Sequence, residues 1–353
     1  MSDSEKLTNI LLNWYFENAR DLPWRNTKDP YKIWLSEVIL QQTTVRQGLP
    51  YYNSFVHHFP TVQHLAEADQ DTVLKLWQGL GYYSRARNLL AAAKHICDKH
   101  KGHFPENYED IIKLPGVGPY TAAAVLSFAF NKEYVVVDGN VNRVASRLFG
   151  IIDDIRSKES QQSIKGFLNQ MIKHTEPEVF NQAIMEFGAL QCVPNKPDCQ
   201  LCPFMNSCYA YKNKLVSTLP LKAKKPAKRL RYFNYLILLD SSQNTIIRKR
   251  EKKDIWRGLF EFPLIETQEI AESIKDLEIS YDALPVSVSK SKTYKHILTH
   301  QKIIAQFFVL HTEKALEGIV EPGDILVPYS KLQDYAVPRL IDLYLNDLSI
   351  TLF

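Results

Sequence analysis

Apolar residues return every three or four positions through most of the chain, and then the rhythm changes. Helical spacing is clear in Thr72–Leu80, Arg87–Ile96 and Phe180–Leu190, where one apolar stripe would face a core. Past Tyr232 come short β-branched and aromatic runs, Tyr232–Leu239, Thr245–Lys249, Leu259–Leu264 and Lys302–Leu310, of the kind that form strands. Two helical patterns interrupt them, Thr267–Leu277 and Pro338–Leu348. Between the two textures, Lys222, Lys224, Lys225, Lys228, Arg229 and Arg231 crowd ten residues that contain no acid. Such a run is a solvated linker unless it faces phosphates. The pattern predicts a multidomain protein: an all-α domain over 1–222, a basic linker over 223–231 and a smaller α/β domain over 232–353.

Composition adds bounds to that picture. At 353 residues the chain is long for a single core. No run approaches the roughly 20 uncharged residues that a membrane span needs, so no membrane partner is expected and the reading is cytoplasmic. The net charge of +4 says little by itself.

Four of the five cysteines, Cys192, Cys199, Cys202 and Cys208, fall within seventeen residues at C-x6-C-x2-C-x5-C spacing. A structural zinc site usually shows two C-x2-C pairs, and this chain has one. Four single thiolates around one compact object fit an iron–sulfur cube better, with zinc as the alternative. Disulfides fit less well, because the first twenty residues show no charged-then-apolar signal peptide. Cys97, on an Ala-rich helical stretch, reads as a small core residue.

A second motif is Leu114-Pro115-Gly116-Val117-Gly118-Pro119-Tyr120-Thr121. Tyr108–Leu114 can form a short helix that Pro115 stops, and Pro119 suits the first position of the next helix, Tyr120–Phe130. Unpaired amides at a Gly-x-Gly turn that opens a helix favour a phosphate. An ordinary helix–helix turn has the same outline. Further on, Tyr134–Val137 is too β-branched to prolong the helix, and Asp138-Gly139-Asn140 precede a new helix from Val141 to Phe149. Asp138 there is either a plain helix N-cap or a functional carboxylate with a partner. Glu37, in the helical segment Tyr31–Gln42, shares a face with Ile33 and Leu40. If that face is buried, desolvation makes Glu37 a candidate general acid; if not, it is a surface glutamate.

These motifs occur in order with Leu22-Pro23-Trp24-Arg25, Trp34-Leu35-Ser36-Glu37-Val38, Leu40-Gln41-Gln42-Thr43, Gly79-Leu80-Gly81-Tyr82-Tyr83, Val137–Val141 and Phe187-Gly188-Ala189. In this order they resemble the MutY family, the adenine DNA glycosylase branch of the helix-hairpin-helix superfamily, over nearly the whole chain. The resemblance implies a 4Fe-4S cluster on Cys192, Cys199, Cys202 and Cys208. It also implies base excision repair by a monomeric enzyme on double-stranded DNA, acting on adenine opposite 8-oxoguanine or guanine.

In that family Glu37 holds the position of the acid that protonates adenine at N7. Asp138 holds that of the carboxylate that stabilises or traps the sugar cation, and Tyr120 and Asn140 bond around the two. Endonuclease III-like members that also cut the backbone carry a catalytic lysine at the hairpin position of Tyr120. A tyrosine cannot form a Schiff base, so a monofunctional glycosylase is implied. An extruded base is required: Gln42 and Tyr82 match the wedging residues, with Thr43 and Leu80 beside them. Arg20, Trp24, Arg25, Leu40 and Gln182 match residues around the extruded adenine. Amides around Gly116, Val117 and Gly118, and Lys196 in the cysteine loop, are expected to hold phosphates.

The α/β domain resembles a Nudix fold, which raises the alternative of a nucleotide hydrolase. Its glycines Gly258, Gly318 and Gly323 are followed six positions on by Leu264, Asp324 and Tyr329. None starts the G-x5-E-x7-R-E box that holds magnesium. The family uses this domain to read 8-oxoguanine. Its loop here is His296-Ile297-Leu298-Thr299-His300, where Thr299 and His300 keep the family's hydroxyl and imidazole and Leu298 replaces an aromatic ring.

Overall fold

The computed structural model describes residues 2–222, 227–279 and 286–351. It divides into two compact units. One comprises Met1–Glu67 and Ala91–Lys224, the other Ala68–Leu90 and Lys225–Phe353. Before the basic stretch the helices are α1 (Asp3–Asn18), α2 (Pro30–Leu40), α3 (Val45–His58), α4 (Val62–Glu67), α5 (Gln70–Leu76) and α6 (Ser84–His100). They continue with α7 (Tyr108–Ile111), α8 (Pro119–Phe130), α9 (Gly139–Phe149), α10 (Lys158–Ile172), α11 (Pro177–Leu190) and α12 (Tyr209–Lys212). The α/β part holds β1 (Arg229–Leu239), β2 (Asn244–Lys249), β3 (Phe260–Glu261), β4 (Leu264–Thr267), β5 (Ser287–Lys290), β6 (Tyr294–Ile297), β7 (Gln301–His311), β8 (Asp324–Pro328) and α13 (Arg339–Thr351).

Among the described residues, two apolar clusters of the first unit lie around the elements that carry the site. In one, Leu11 of α1, Val144 and Leu148 of α9, Leu168 of α10 and Phe180, Ile184 and Phe187 of α11 pack together. In the other, Ile33 of α2 meets Ala123, Ala124 and Phe128 of α8, with Val136. Helix α8 is small and apolar almost throughout, and Thr121–Phe128 are all buried. A helix that is apolar all round belongs in a core, where it sets the direction of the hairpin turn before it and of the Asp138 loop after it.

In the second unit β1 and β7 run parallel over eleven paired positions, from Arg229↔Gln301 to Leu239↔His311. β4 flanks β1, while β5 and β6 both pair antiparallel with β7. A second, antiparallel sheet has the order β3-β2-β8.

Several sequence expectations need correction. Thr267–Leu277 is not a helix: its start completes β4, and only Ile274–Asp276 forms a 3-10 turn under a Ser273–Asp276 capping box. Ala271 is buried and its carbonyl accepts from Gln306, so tertiary contacts win over helical spacing. Leu259–Leu264 is two strands in different sheets, because Pro263 lacks an N–H and breaks the run. Arg229 and Arg231, expected in the linker, lie in β1. Arg231 is buried, donating to Glu266 and Asp254. Lys224 and Lys225 lie outside the described residues. Residues Ala68–Leu90 remain helical within the 1–222 span, although they group by contact with the second unit.

Candidate active site

Glu37 is buried, at 5% exposure, on a helix whose residues Ile33–Ile39 are all buried. Burial pushes its carboxyl pKa up to about 7. A hydrogen bond from Tyr120 opposes the rise, the charge of Asp138 adds to it, and Arg25 opposes it. The Tyr120 hydroxyl donates to Glu37 Oε2 at 2.5 Å, and burial together with Glu37 holds that phenol far above its usual range. Near neutrality, then, this carboxyl carries a proton for part of the time, which a general acid requires.

Asp138 is the helix N-cap that one of its two sequence readings expects. As N-cap of α9 its Oδ1 accepts from the Val141 amide at 2.7 Å, and its Oδ2 accepts from Asn140 Nδ2 at 2.8 Å. Burial raises its pKa, and these hydrogen bonds pull it back. Asn140 Oδ1 accepts from Arg143, which also donates to the carbonyls of Gly188 and Cys192.

Both carboxyls open on one cavity of about 830 Å³ in the first unit. Tyr120, Asn140, Arg20, Trp24, Arg25, Leu40, Gln42, Thr43 and Gln182 also line it, so this part of the expected set comes together. Gln42 is exposed and sits in left-handed backbone at φ 58°, unusual for a residue other than glycine. Gln182 accepts from Tyr15 at 2.8 Å and donates to Glu178.

One charged residue of the cavity escaped the sequence reading. Glu186, four positions after Gln182 on α11, is 1% exposed. Its carboxylate accepts from Arg20 Nε and Nη2 at 2.7 and 2.6 Å and from Arg25 Nη2 at 2.8 Å. Burial alone would raise its pKa, but the arginine bonds win and hold it down at about 2. It therefore stays anionic and fixes both guanidiniums on the cavity wall. The available signal was a lone acid between apolar runs, Ala183–Met185 before it and Phe187–Leu190 after it.

Of the hairpin positions, Val117 is buried and its amide donates to the Leu114 carbonyl at 3.0 Å. That amide is spent, which leaves Gly116 and Gly118 for the expected phosphate contact. Gly118 caps α8 without a side-chain bond and has open space where a Cβ would stand. Lys196 is exposed, in left-handed backbone at φ 47°.

Tyr82 and Thr299 belong to the second unit and share a hydroxyl–hydroxyl hydrogen bond of 2.9 Å. Tyr82 is 53% exposed at φ 48° and follows Gly79 and Gly81, which also have positive φ. Leu80 is buried instead, at 6% exposure. Thr299 and His300 are exposed in the turn between β6 and β7, whose Leu298 amide donates to Gln301 O.

Cys192, Cys199, Cys202 and Cys208 border one small cavity together with Arg147, and all are free thiols. Among the described residues, no three His, Cys, Asp or Glu side chains are grouped to hold a metal ion. Burial and mutual charge raise the Cys199 thiol, and the same effects raise Cys202 to about 11 and also lift Cys208, against backbone hydrogen bonds that pull those two down. Together these thiols become thiolates only alongside compensating positive charge. Arg147 Nη1 lies 3.5 Å from Cys192 Sγ and its other donors bind the carbonyls of Val193, Pro194 and Leu219. Four cysteine side chains around one small cavity form a soft donor set of the kind that takes a thiolate-bound metal group.

The chain matches the HhH-GPD superfamily of base excision DNA repair proteins over residues 35–170 and the NUDIX domain over residues 234–347. It has the fold of solved structures of that class. A thermostable thymine-DNA glycosylase aligns with TM-score 0.55 and 29% identity, over 60% of this chain and 97% of that one. Endonuclease III in a non-covalent DNA complex aligns at 0.52 and 22%, over 61% and 99%. Helical fold and cavity thus define a helix-hairpin-helix DNA N-glycosylase. Among curated proteins, the adenine DNA glycosylases of Buchnera aphidicola from Schizaphis graminum and Acyrthosiphon pisum are 37% and 34% identical. Those matches cover 82% and 90% of this chain and 83% and 93% of theirs. The chain belongs to the adenine DNA glycosylases, hydrolases of base excision repair. Among the described residues no helix is long and apolar enough to cross a membrane.

Proposed function

We propose that this enzyme removes adenine mispaired with 8-oxoguanine or guanine from double-stranded DNA, with Glu37 as general acid and Asp138 as the anionic stabiliser of the sugar. The observation that carries the reading is a buried Glu37, raised to about 7 and hydrogen-bonded to Tyr120, on one cavity with Asp138. The adenine enters the cavity only when extruded from the stack. The Glu37 proton goes to N7, and the C1′–N9 electron pair leaves with the base. Positive charge then develops at C1′, where the Asp138 carboxylate stabilises it. Water adds at C1′ and surrenders a proton to the deprotonated Glu37, leaving free adenine, an abasic sugar and the starting enzyme. Tyr120 has no amine for a Schiff base, so the strand stays intact.

In this reading Arg20, Trp24, Arg25, Leu40 and Gln182 surround the extruded adenine, with Glu186 holding both arginines in place. Gln42 and Tyr82 wedge into the duplex beside Thr43 and Leu80, and Thr299 and His300 read the lesion base. The proposed catalytic part spans 1–222 and the lesion-reading part follows the basic stretch. The enzyme acts as a monomer on cytoplasmic, nucleoid-associated DNA. A 4Fe-4S cluster on Cys192, Cys199, Cys202 and Cys208 would supply a cross-link to the loop that they share.

The test is a duplex carrying adenine opposite 8-oxoguanine or opposite guanine, assayed for free adenine. Adenine release with a strand broken only by alkali is expected. Strand cleavage that keeps pace with base release, with enzyme trapped by borohydride, would contradict the monofunctional reading. Iron and sulfide near about four per chain are expected in the purified protein, and stoichiometric zinc would overturn the cluster.

A further inference from the structure

The turn that carries Tyr82 is fastened to the α/β part at several places. On α5, the Lys75 ammonium donates to the carbonyl oxygens of Gln333 and Tyr335, at 3.2 Å to the latter. Asp71, also on α5, pairs with Lys249 of β2, whose ammonium lies 5.2 Å over the Phe260 ring. Arg87 donates to the Arg257 carbonyl at 2.6 Å. A Cβ on Gly258, at φ 86°, would stand 3.1 Å from Leu74 and 3.3 Å from Gln70. The turn itself is stiffened as well: Trp77 Nε1 and Arg85 both donate to the Gly81 carbonyl, and the Arg85 guanidinium lies over the Trp77 and Tyr82 rings.

We propose that Lys75 and the Asp71–Lys249 pair are positioning residues for lesion discrimination, holding the Tyr82 turn on the α/β part so that wedge and lesion reader meet the duplex as one element. The inference rests on the roles proposed above for Tyr82 and Thr299. A hydroxyl pair such as Tyr82–Thr299 is directional and short-ranged, so a small drift of the turn separates it. Lys75 is suited to preventing that drift. Burial lowers the pKa of its ammonium, Asp334 and Asp342 oppose that fall, and a cation with fixed carbonyl partners resists displacement.

The test measures single-turnover adenine release opposite 8-oxoguanine and opposite guanine and takes the ratio. It uses the full chain as wild type, Lys75→Met, Lys75→Arg, Asp71→Lys, Lys249→Asp, the swap Asp71→Lys/Lys249→Asp, and Thr299→Ala. Lys75→Met should lower the ratio about tenfold, as loss of a well-made polar contact would, with the rate opposite guanine kept within about twofold. Lys75→Arg should recover part of the ratio. Each single charge reversal should lower it, and the swap should restore it. A ratio unchanged in Lys75→Met, or a swap no better than the single reversals, overturns the positioning role. Thr299→Ala judges the underlying reading separately: if it alone leaves the ratio intact, Thr299 is not the lesion reader.

Discussion

Gly188 lies so close to Asn140 that a Cβ on it would stand 2.7 Å from the Asn140 Cβ and 3.1 Å from its carbonyl carbon and oxygen. Helices α9 and α11 therefore meet at a position that admits only hydrogen, and Asn140, which donates to Asp138, is set by that approach. Gly188→Ala should push Asn140 away and weaken its bond to Asp138. Overpacking of this kind typically costs about 1–3 kcal/mol, and adenine release should slow about tenfold or more. Thermal melting and single-turnover rates check both. A variant with unchanged rate would show that Asn140 has no part in holding Asp138.

Tyr120→Phe removes a hydrogen bond that holds the Glu37 pKa down. Only protonated Glu37 acts as an acid, so the wild-type rate should fall as pH rises through about 7. In Tyr120→Phe the maximum rate should drop and the pH of that fall should move upward. A single-turnover pH profile decides it, and an inflection that moves down or stays put contradicts the proposed role of Tyr120.

Glu37 should also destabilise the fold at high pH. Between its ordinary value of 4.5 and about 7, the native state keeps the proton while the unfolded chain has lost it. The unfolded state thus binds fewer protons, and stability falls as pH rises through that window. The loss is complete above about 7 and absent below 4.5. At about 1.4 kcal/mol per pKa unit it amounts to about 3 kcal/mol. Glu37→Gln should therefore melt higher than wild type at pH 8, with the gain shrinking towards pH 4. Chemical denaturation across pH measures it, and a gain independent of pH would contradict the raised pKa.

Much of the helical unit was legible because its apolar stripes face one core. Segments such as Phe180–Leu190 sit inside observed helices. Glu37 was balanced between surface and interior because periodicity separates two faces, whereas α2 is buried on nearly all of them. Asp138 and the cysteines stood out through local motifs. Glu186 did not, since its partners Arg20 and Arg25 lie 166 and 161 residues away in the chain. β5 is exposed along its whole length, and the Val286-Ser287-Val288-Ser289 alternation is too short to mark a strand without a core to face. Helical spacing in Thr72–Leu80 marks an apolar face but not its partner, and the attachment of Ala68–Leu90 to the α/β part is a tertiary property.

The central claim is that Glu37 delivers the proton that makes adenine leave. Glu37→Gln keeps the shape and loses the acid, so the most direct measurement is its single-turnover release of adenine from a duplex with adenine opposite 8-oxoguanine. Duplex affinity is measured in parallel. The account predicts loss of release by about 10²-fold or more with affinity nearly unchanged. Release within about tenfold of wild type would contradict it, because general-acid catalysis is worth more than that.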